Sequence, residues 1–389
     1  MKELYLDHAA TTPCAKEVVT AMMPLFADEF ANPHSTSHLA GAVVAERVEE
    51  ARAEVAGLLG VQAREVIFTS GATESNNLAI KGAAHFAASQ GGSRRRIITL
   101  ATEHKCVIES VRDLGEEGVE PVILPVGRDG RVDPDRLRHA LEVPTILVSI
   151  MAANNETGVI QDIAALSPLV RAAGALMHCD LAQAAGKMPV DAGLFDLASV
   201  SAHKLYGPKG VGALFVRQRP RVRLQPLFSG GGQERLLRSG TLPAPLVAGF
   251  GVAARLAGER LGIDGTRLEQ MRQVLLDGLR MRQTDFEING EGAPCLPGII
   301  SLRFPGAPAV QVLAEAPELA LSAGSACSSA DVAPSYVLTA MGLTAEEARE
   351  SLRLSPGRYT TAADMERAAE VLARAVRAVR QGAPHAKTV

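Results

Sequence analysis

Leu197-Ala-Ser-Val-Ser201-Ala-His203-Lys204-Leu-Tyr-Gly207-Pro-Lys-Gly210-Val211-Gly-Ala-Leu-Phe-Val216 holds two short apolar runs joined by a turn, with a lysine directly after the first run. Uncharged runs of this length, bounded by turn residues, read as strands buried on both faces. Five more lie upstream, at Val66–Thr69, Ile97–Leu100, Val122–Leu124, Thr145–Ile150 and Leu176–Cys179. Helical patterns alternate with them. The one over His38–Leu59 sets Val44, Val48, Ala51, Val55 and Leu58 on one stripe and stops at Gly60. Such alternation predicts an α/β fold with a mostly parallel, doubly wound, seven-stranded sheet.

At 389 residues the chain exceeds one ordinary core, so two domains are expected. The texture changes near Gly258. A polar helix over Thr266–Gln283 is followed by an isolated apolar strand (Ile299–Phe304), a small-residue loop and a last helix. That last helix opens on a capping box, Thr361-Ala-Ala-Asp364, and turns Met365, Ala368, Leu372, Val376 and Val379 inward. The expected division is a large domain over residues 13–258. Residues 1–12 and 259–389 form a smaller α/β domain that carries the loop.

Lys204 and Asp180 each follow a strand, where open α/β sheets bind their ligands. An amine and a carboxylate so placed are what pyridoxal phosphate asks of a protein. The amine takes the aldehyde, and the carboxylate keeps the pyridine nitrogen protonated. Ser70-Gly71-Ala72-Thr73-Glu74 follows a strand and opens a helix, whose first amides, with the Thr73 hydroxyl, make a phosphate seat. Ser201 and His203 are further phosphate donors. His104 follows the strand Ile97–Leu100, where its ring can stack on the cofactor and exchange protons with substrate. Asn155 and Gln183 are placed to bond the cofactor's ring oxygen, and Asn155 alternatively a carboxylate. Arg353 offers a fork suited to a carboxylate. For Asp180, His104 and Arg353 the alternatives are a helix cap, a loop histidine and a structural salt bridge.

Cys14, Cys106, Cys179, Cys295 and Cys327 are odd in number and widely spaced, with no Cys-x-x-Cys. A disulfide framework or a metal site is not expected. His34 and His38 have metal-like spacing, but no third ligand is near and a helix start is the reading preferred. Cys14, Cys106 and Cys179 read as packing residues. Cys327 sits in Gly324-Ser-Ala-Cys327-Ser-Ser329, a setting in which a thiolate can react. The net charge of −3 gives no global field for nucleic acid. No apolar run is long enough to span a bilayer and no signal-peptide pattern opens the chain, so the cytoplasm is the expected compartment.

The ordered motifs resemble those of the cysteine desulfurases of the NifS/IscS type, fold-type I pyridoxal-phosphate enzymes. They run from Asp7-His-Ala-Ala-Thr11-Thr through Thr69-Ser-Gly-Ala-Thr73-Glu-Ser-Asn76, Thr102-Glu-His104-Lys, Asn154-Asn-Glu-Thr-Gly158 and His178-Cys-Asp180. Ser201-Ala-His-Lys204, Arg238-Ser-Gly-Thr241 and Gly324-Ser-Ala-Cys327 complete them. The resemblance implies that Lys204 carries the cofactor, Asp180 pairs with its ring nitrogen, and His104 is the stacking acid/base and proton shuttle for the substrate thiol. It implies that Thr73, Ser201 and His203 hold phosphate, with Thr241 reaching in from the other subunit of a homodimer. Asn155 and Arg353 would hold the carboxylate of L-cysteine. Cys327 would take its sulfur as a persulfide for an acceptor protein, such as an iron–sulfur scaffold or a thiolation enzyme. An aminotransferase or selenocysteine lyase on the same fold is the alternative. The run His178-Cys-Asp-Leu-Ala-Gln183 departs mildly from the family's usual one, and the tail after Gln381 is shorter than in members that engage a scaffold.

Overall fold

The computed structural model describes residues 3–35, 37–323 and 333–382. Cys327, with the rest of 324–332, lies outside the described residues. The strands are β1 (Leu4–Tyr5), β2 (Val66–Thr69), β3 (Arg96–Leu100), β4 (Glu120–Leu124), β5 (Thr145–Ser149), β6 (Leu176–Asp180), β7 (Leu197–Ser201) and β8 (Gly212–Val216). They continue as β9 (Glu287–Ile288), β10 (Ile300–Arg303), β11 (Leu319–Ala320) and β12 (Ser351–Leu354). The main sheet has seven strands in the order β2-β8-β7-β6-β5-β3-β4. Its ladders from β4 to β7 are parallel, and β8 runs antiparallel to both β7 and β2. The seven strands expected from sequence are the seven observed, within two residues at each end.

Period-two alternation sorts this sheet's side chains onto two faces. Ile67, Ile97, Leu147, Leu197 and Leu214 pack under Leu78 and Ala79 of the helix Ala72–Ser89 and Val107 and Val111 of the helix Lys105–Asp113. Phe68, Ile98, Val148, Ala198 and Phe215 face Val48 and Val55 of the helix Leu39–Leu59, and Phe250 and Ala253. His38 begins that helix by accepting the Gly41 N–H at Nδ1, 3.0 Å away.

The polar helix expected over Thr266–Gln283 is the second half of one helix, Ala244–Met281. Its glycines read as punctuation but act otherwise. A Cβ on Gly251 would lie 2.5 Å from the Ala51 Cα, so glycine there lets two helices touch. Gly262 and Gly265 meet nothing within 4 Å and cost only about 1 kcal/mol of propensity each. Packing at both ends outweighs that. Val247, Phe250 and Ala257 join the large core, while Met271, Leu275 and Leu279 join a second core. The expected boundary at 258/259 falls inside this helix.

The second core is built on β10, which is not isolated. It is the centre of an antiparallel sheet, β12-β10-β9. Leu302 and Leu352 on that sheet pack with Met365, Ala368, Leu372 and Val376 of the helix Ala362–Arg380. β1 pairs in parallel with β11, and Leu6 lies in this core. Among the described residues, no helix is long and apolar enough to cross a membrane.

One buried ion pair locks a strained loop to the large core. Glu234, Arg235 and Leu236 all hold positive φ, at 46°, 58° and 69°. Both Glu234 oxygens meet Arg52 at 2.7 Å, and Oε2 also accepts the Phe68 N–H at 2.6 Å. The two side chains are 4% and 3% exposed, so removing Glu234 takes from buried Arg52 its two shortest contacts and leaves it Glu49 and the Val66 carbonyl. Glu234→Ala is expected to lower the unfolding free energy by about 3–5 kcal/mol. Denaturant titration checks this, and a loss below about 1 kcal/mol would contradict the locking role.

Candidate active site

The parallel strands end at one edge of the sheet, and a cavity of about 540 Å³ opens there. Ala72, Thr73, His104, Asn155, Asp180, Gln183, Ser201, His203, Lys204 and Arg353 all line it. Residues far apart in the chain therefore meet because their strands end side by side. Thr241 is exposed and does not line this cavity.

Asp180 closes β6 and is 5% exposed. Its Oδ1 accepts the Ala182 N–H and its Oδ2 the Asn76 side-chain amide, both at 2.8 Å. Two donors hold the carboxylate in place, and the chain that continues past β6 satisfies one of them. Lys204 ends the turn after β7, and its amine donates to the carbonyls of Ala9 and of Ala10, the latter at 2.8 Å. Burial brings this amine down to about 8, helped by Arg353 and opposed by Asp7 and Asp180. An amine so adjusted is a competent nucleophile and base near neutral pH.

At the segment expected to seat a phosphate, Gly71 precedes the helix Ala72–Ser89, and Gly71, Ala72 and Thr73 line the cavity. A Cβ on Gly212 would sit 2.6 Å from the Gly71 Cα, so β8 passes beneath this loop only as glycine. Glu74 steadies the loop, accepting from the Ser70 N–H at 2.8 Å and Arg238 Nε at 2.9 Å. His203 Nδ1 meets Thr11 Oγ1 at 3.1 Å, and burial with nearby Lys204, Lys209 and Lys187 lowers its pKa to about 4. A neutral His203 offers a hydrogen bond without a buried charge.

On the opposite wall, Arg353 of β12 donates to the Asn155 carbonyl at 2.8 Å and to Asp7 Oδ1 at 2.7 Å. It ties the N-terminal segment to β12 and still borders the cavity, so the salt bridge does not withdraw it from the cavity wall. Ser335 Oγ donates to Glu156 at 2.5 Å, and Tyr336 OH to the Glu103 carbonyl at 2.7 Å. Both fasten the chain that follows the Cys327 segment to the wall beside His104.

Three contributors escaped the sequence reading. Asn76, one turn into its helix, holds Asp180. Lys187 donates to Gln183 Oε1 at 2.7 Å, while Gln183 Nε2 donates to the Ala9 carbonyl at 2.9 Å. Cys106 was expected to pack. Cys14 and Cys179 do sit with the large core, and Cys106 packs against the core on the sheet's other face while also lining the cavity. Burial, and then Asp180, push its thiol up to about 12, so it is a poor nucleophile. Asn76 stands four residues after the phosphate-seat alanine, and helical spacing alone places it on the strand-facing side.

The site fits pyridoxal phosphate on its own chemistry. It has an amine lowered to about 8, a fixed carboxylate, a helix start on the cavity wall, and two buried acceptors, Asn76 Oδ1 and Asn155 Oδ1, that lack hydrogen-bond partners among the described residues. The chain matches the aminotransferase class-V family over residues 4–368. It is 44% identical to cysteine desulfurase IscS of Rickettsia bellii, over 98% of this chain and 93% of that one. It is 46% identical to cysteine desulfurase IscS of Anaeromyxobacter sp., over 98% and 94%. A solved NifS-like protein superposes with a TM-score of 0.87 at 34% identity, covering 96% of this chain and 98% of that one.

Proposed function

The chain belongs to the class-V aminotransferase family, and we propose that it is a pyridoxal-phosphate-dependent cysteine desulfurase that converts L-cysteine to L-alanine and passes the sulfur on through Cys327. The observation that carries this reading is the convergence of Lys204, Asp180 and His104 on one cavity at the strand ends. Its cofactor and reaction accord with the curated desulfurases that align over nearly the whole chain.

Lys204 would hold the cofactor's aldehyde group, and its amine, brought down to about 8, is the base suited to take the substrate's α-proton. Asp180 pairs with the ring nitrogen, held by Asn76 and the Ala182 N–H. Ala72, Thr73, Ser201 and His203 would hold the phosphate, and Gln183 would serve the ring oxygen. Asn155 and Arg353 hold the substrate carboxylate. When bound, pyridoxal phosphate supplies an electron sink conjugated to the substrate α-carbon. The Cys327 thiolate attacks the substrate sulfur. An S–S bond forms, the C–S bond breaks, and its electron pair remains with the β-carbon, which is protonated on the way to alanine.

Residues 13–258 form the large domain in this reading, and 1–12 with 259–389 the small one. The active unit is a homodimer in which Thr241 serves the other copy's phosphate. Its exposure, with that of Phe26, Phe30, Leu39 and Leu236, supports this. The persulfide goes to a sulfur-acceptor protein, and a cytoplasmic setting keeps the thiol reduced. The test is product analysis on the loaded protein with L-cysteine and a thiol reductant. Alanine and sulfide are expected in equal amounts. Absence of alanine, or amino transfer to a keto acid instead, would overturn the reading.

A further inference from the structure

Cys106 lies inside the site and takes no part in the chemistry above. Its thiol sits 3.0 Å from His104 Nδ1. The Cys106 backbone N–H also points at Nδ1, at 3.2 Å, where His104 caps the helix Lys105–Asp113. Asn76 Nδ2 donates to the Cys106 sulfur at 3.2 Å and to Asp180 at 2.8 Å. The sulfur thus accepts from Asn76 and the Thr73 hydroxyl, both of which favour the thiolate side, and its own hydrogen faces Nδ1 at 3.0 Å.

A neutral imidazole carries one proton, and the nitrogen that accepts leaves the other as N–H. Nδ1 faces a backbone donor that cannot reverse and a thiol donor. Nε2 has no hydrogen-bond partner among the described residues, and the ring borders the cavity. From this geometry we infer that Cys106 is a positioning residue, fixing His104 in the form with Nδ1 bare and the proton on Nε2, so that His104 meets the substrate as a hydrogen-bond donor.

Burial depresses the His104 pKa, with Lys204 and Lys105 adding to it against Asp180, which agrees with a ring that stays neutral. A proton arriving at Nδ1 would confront two donors. His104 is therefore poorly suited to accept the substrate thiol's proton, and well suited to stabilise negative charge as it develops on sulfur. The proton-shuttle role expected from sequence becomes a donor role. The second thiol of the site serves the histidine and does not carry sulfur.

This inference rests on the desulfurase reading only for the identity of the group that Nε2 faces. The test is 15N–1H correlation of histidine-labelled holoenzyme, with the His104 signal assigned by its loss in His104→Gln. Wild type is expected to show Nδ1 bare and Nε2 protonated. Cys106→Ala, which deletes one donor, is expected to raise the His104 titration midpoint by about half to one pH unit. Cys106→Ser, which keeps a donor, is expected to hold both tautomer and midpoint, and carries the comparison if the alanine variant does not fold. A wild-type ring protonated at Nδ1, or a serine variant that loses the Nε2–H form, would overturn the inference. A protein that makes no alanine from L-cysteine would instead overturn the desulfurase reading and leave the tautomer result standing.

Discussion

Lys204→Ala is expected to abolish alanine production, by about 10³-fold or more, and to remove the visible absorbance of the covalently held cofactor. Lys187, also brought down in pKa, to about 7, is engaged by Gln183 and lines a separate cavity behind Lys204. Lys209 and Lys105 border the active cavity, but the Lys105 amine lies over the Tyr336 ring. The fold should survive, because among the described residues the Lys204 amine bonds the carbonyls of Ala9 and Ala10 and forms no ion pair.

A pH dependence accompanies this loss. A base must be neutral to take a proton, so the wild-type rate is expected to rise as the amine deprotonates through about 8. With an ordinary lysine pKa, only about one amine in a thousand would be neutral at pH 7.5, against about a quarter with the lowered value. In Lys204→Ala, a small primary amine added to the solution should restore part of the turnover, and the limb near 8 should be gone. An unchanged visible spectrum in the variant would sink the assignment. Full activity without the lysine would sink the mechanism with it.

The sheet was legible because strands buried on both faces have no polar alternation to confuse them. Ile97, Ile98 and Leu100, or Leu197, Ala198 and Val200, read as strand whichever core they enter. The long helix was not legible. Gly258, Gly262 and Gly265 are local signals for a break, and only the packing of residues at both ends, such as Phe250 and Leu275, overrides them. β10 seemed isolated because its partners are remote or short. β12, over residues read as a candidate strand around Arg353, lies about fifty residues on, and β9 has only two residues. In the site, charge-bearing residues at strand ends announced themselves. Asn76, Lys187 and Cys106 did not, because each touches another side chain of the site: Asn76 meets Asp180, Lys187 meets Gln183 and Cys106 meets His104.

Cys327→Ser is expected to keep cofactor binding and its spectrum while losing alanine formation by about 10²-fold or more and all persulfide. The other thiols argue for this outcome. The Cys106 thiol is pushed up to about 12, and Cys179 is fully buried and raised well above its ordinary value. Cys295 is raised by burial, stands in the bridge that pairs with Val159, and lies away from the cavity lining. Cys14 packs against the large core. None is both reactive and within the site, which leaves the cysteine of the Gly-Ser-Ala segment. Serine preserves size but is a far weaker nucleophile toward sulfur, so the substrate's C–S bond would lack an attacking partner. An aminotransferase on this fold needs no such thiol and would be indifferent to the change. Mass analysis of the protein after substrate addition, with alanine measured in parallel, separates the two. A gain of one sulfur in wild type alone assigns the acceptor, whereas equal alanine from both proteins would remove Cys327 from the reaction.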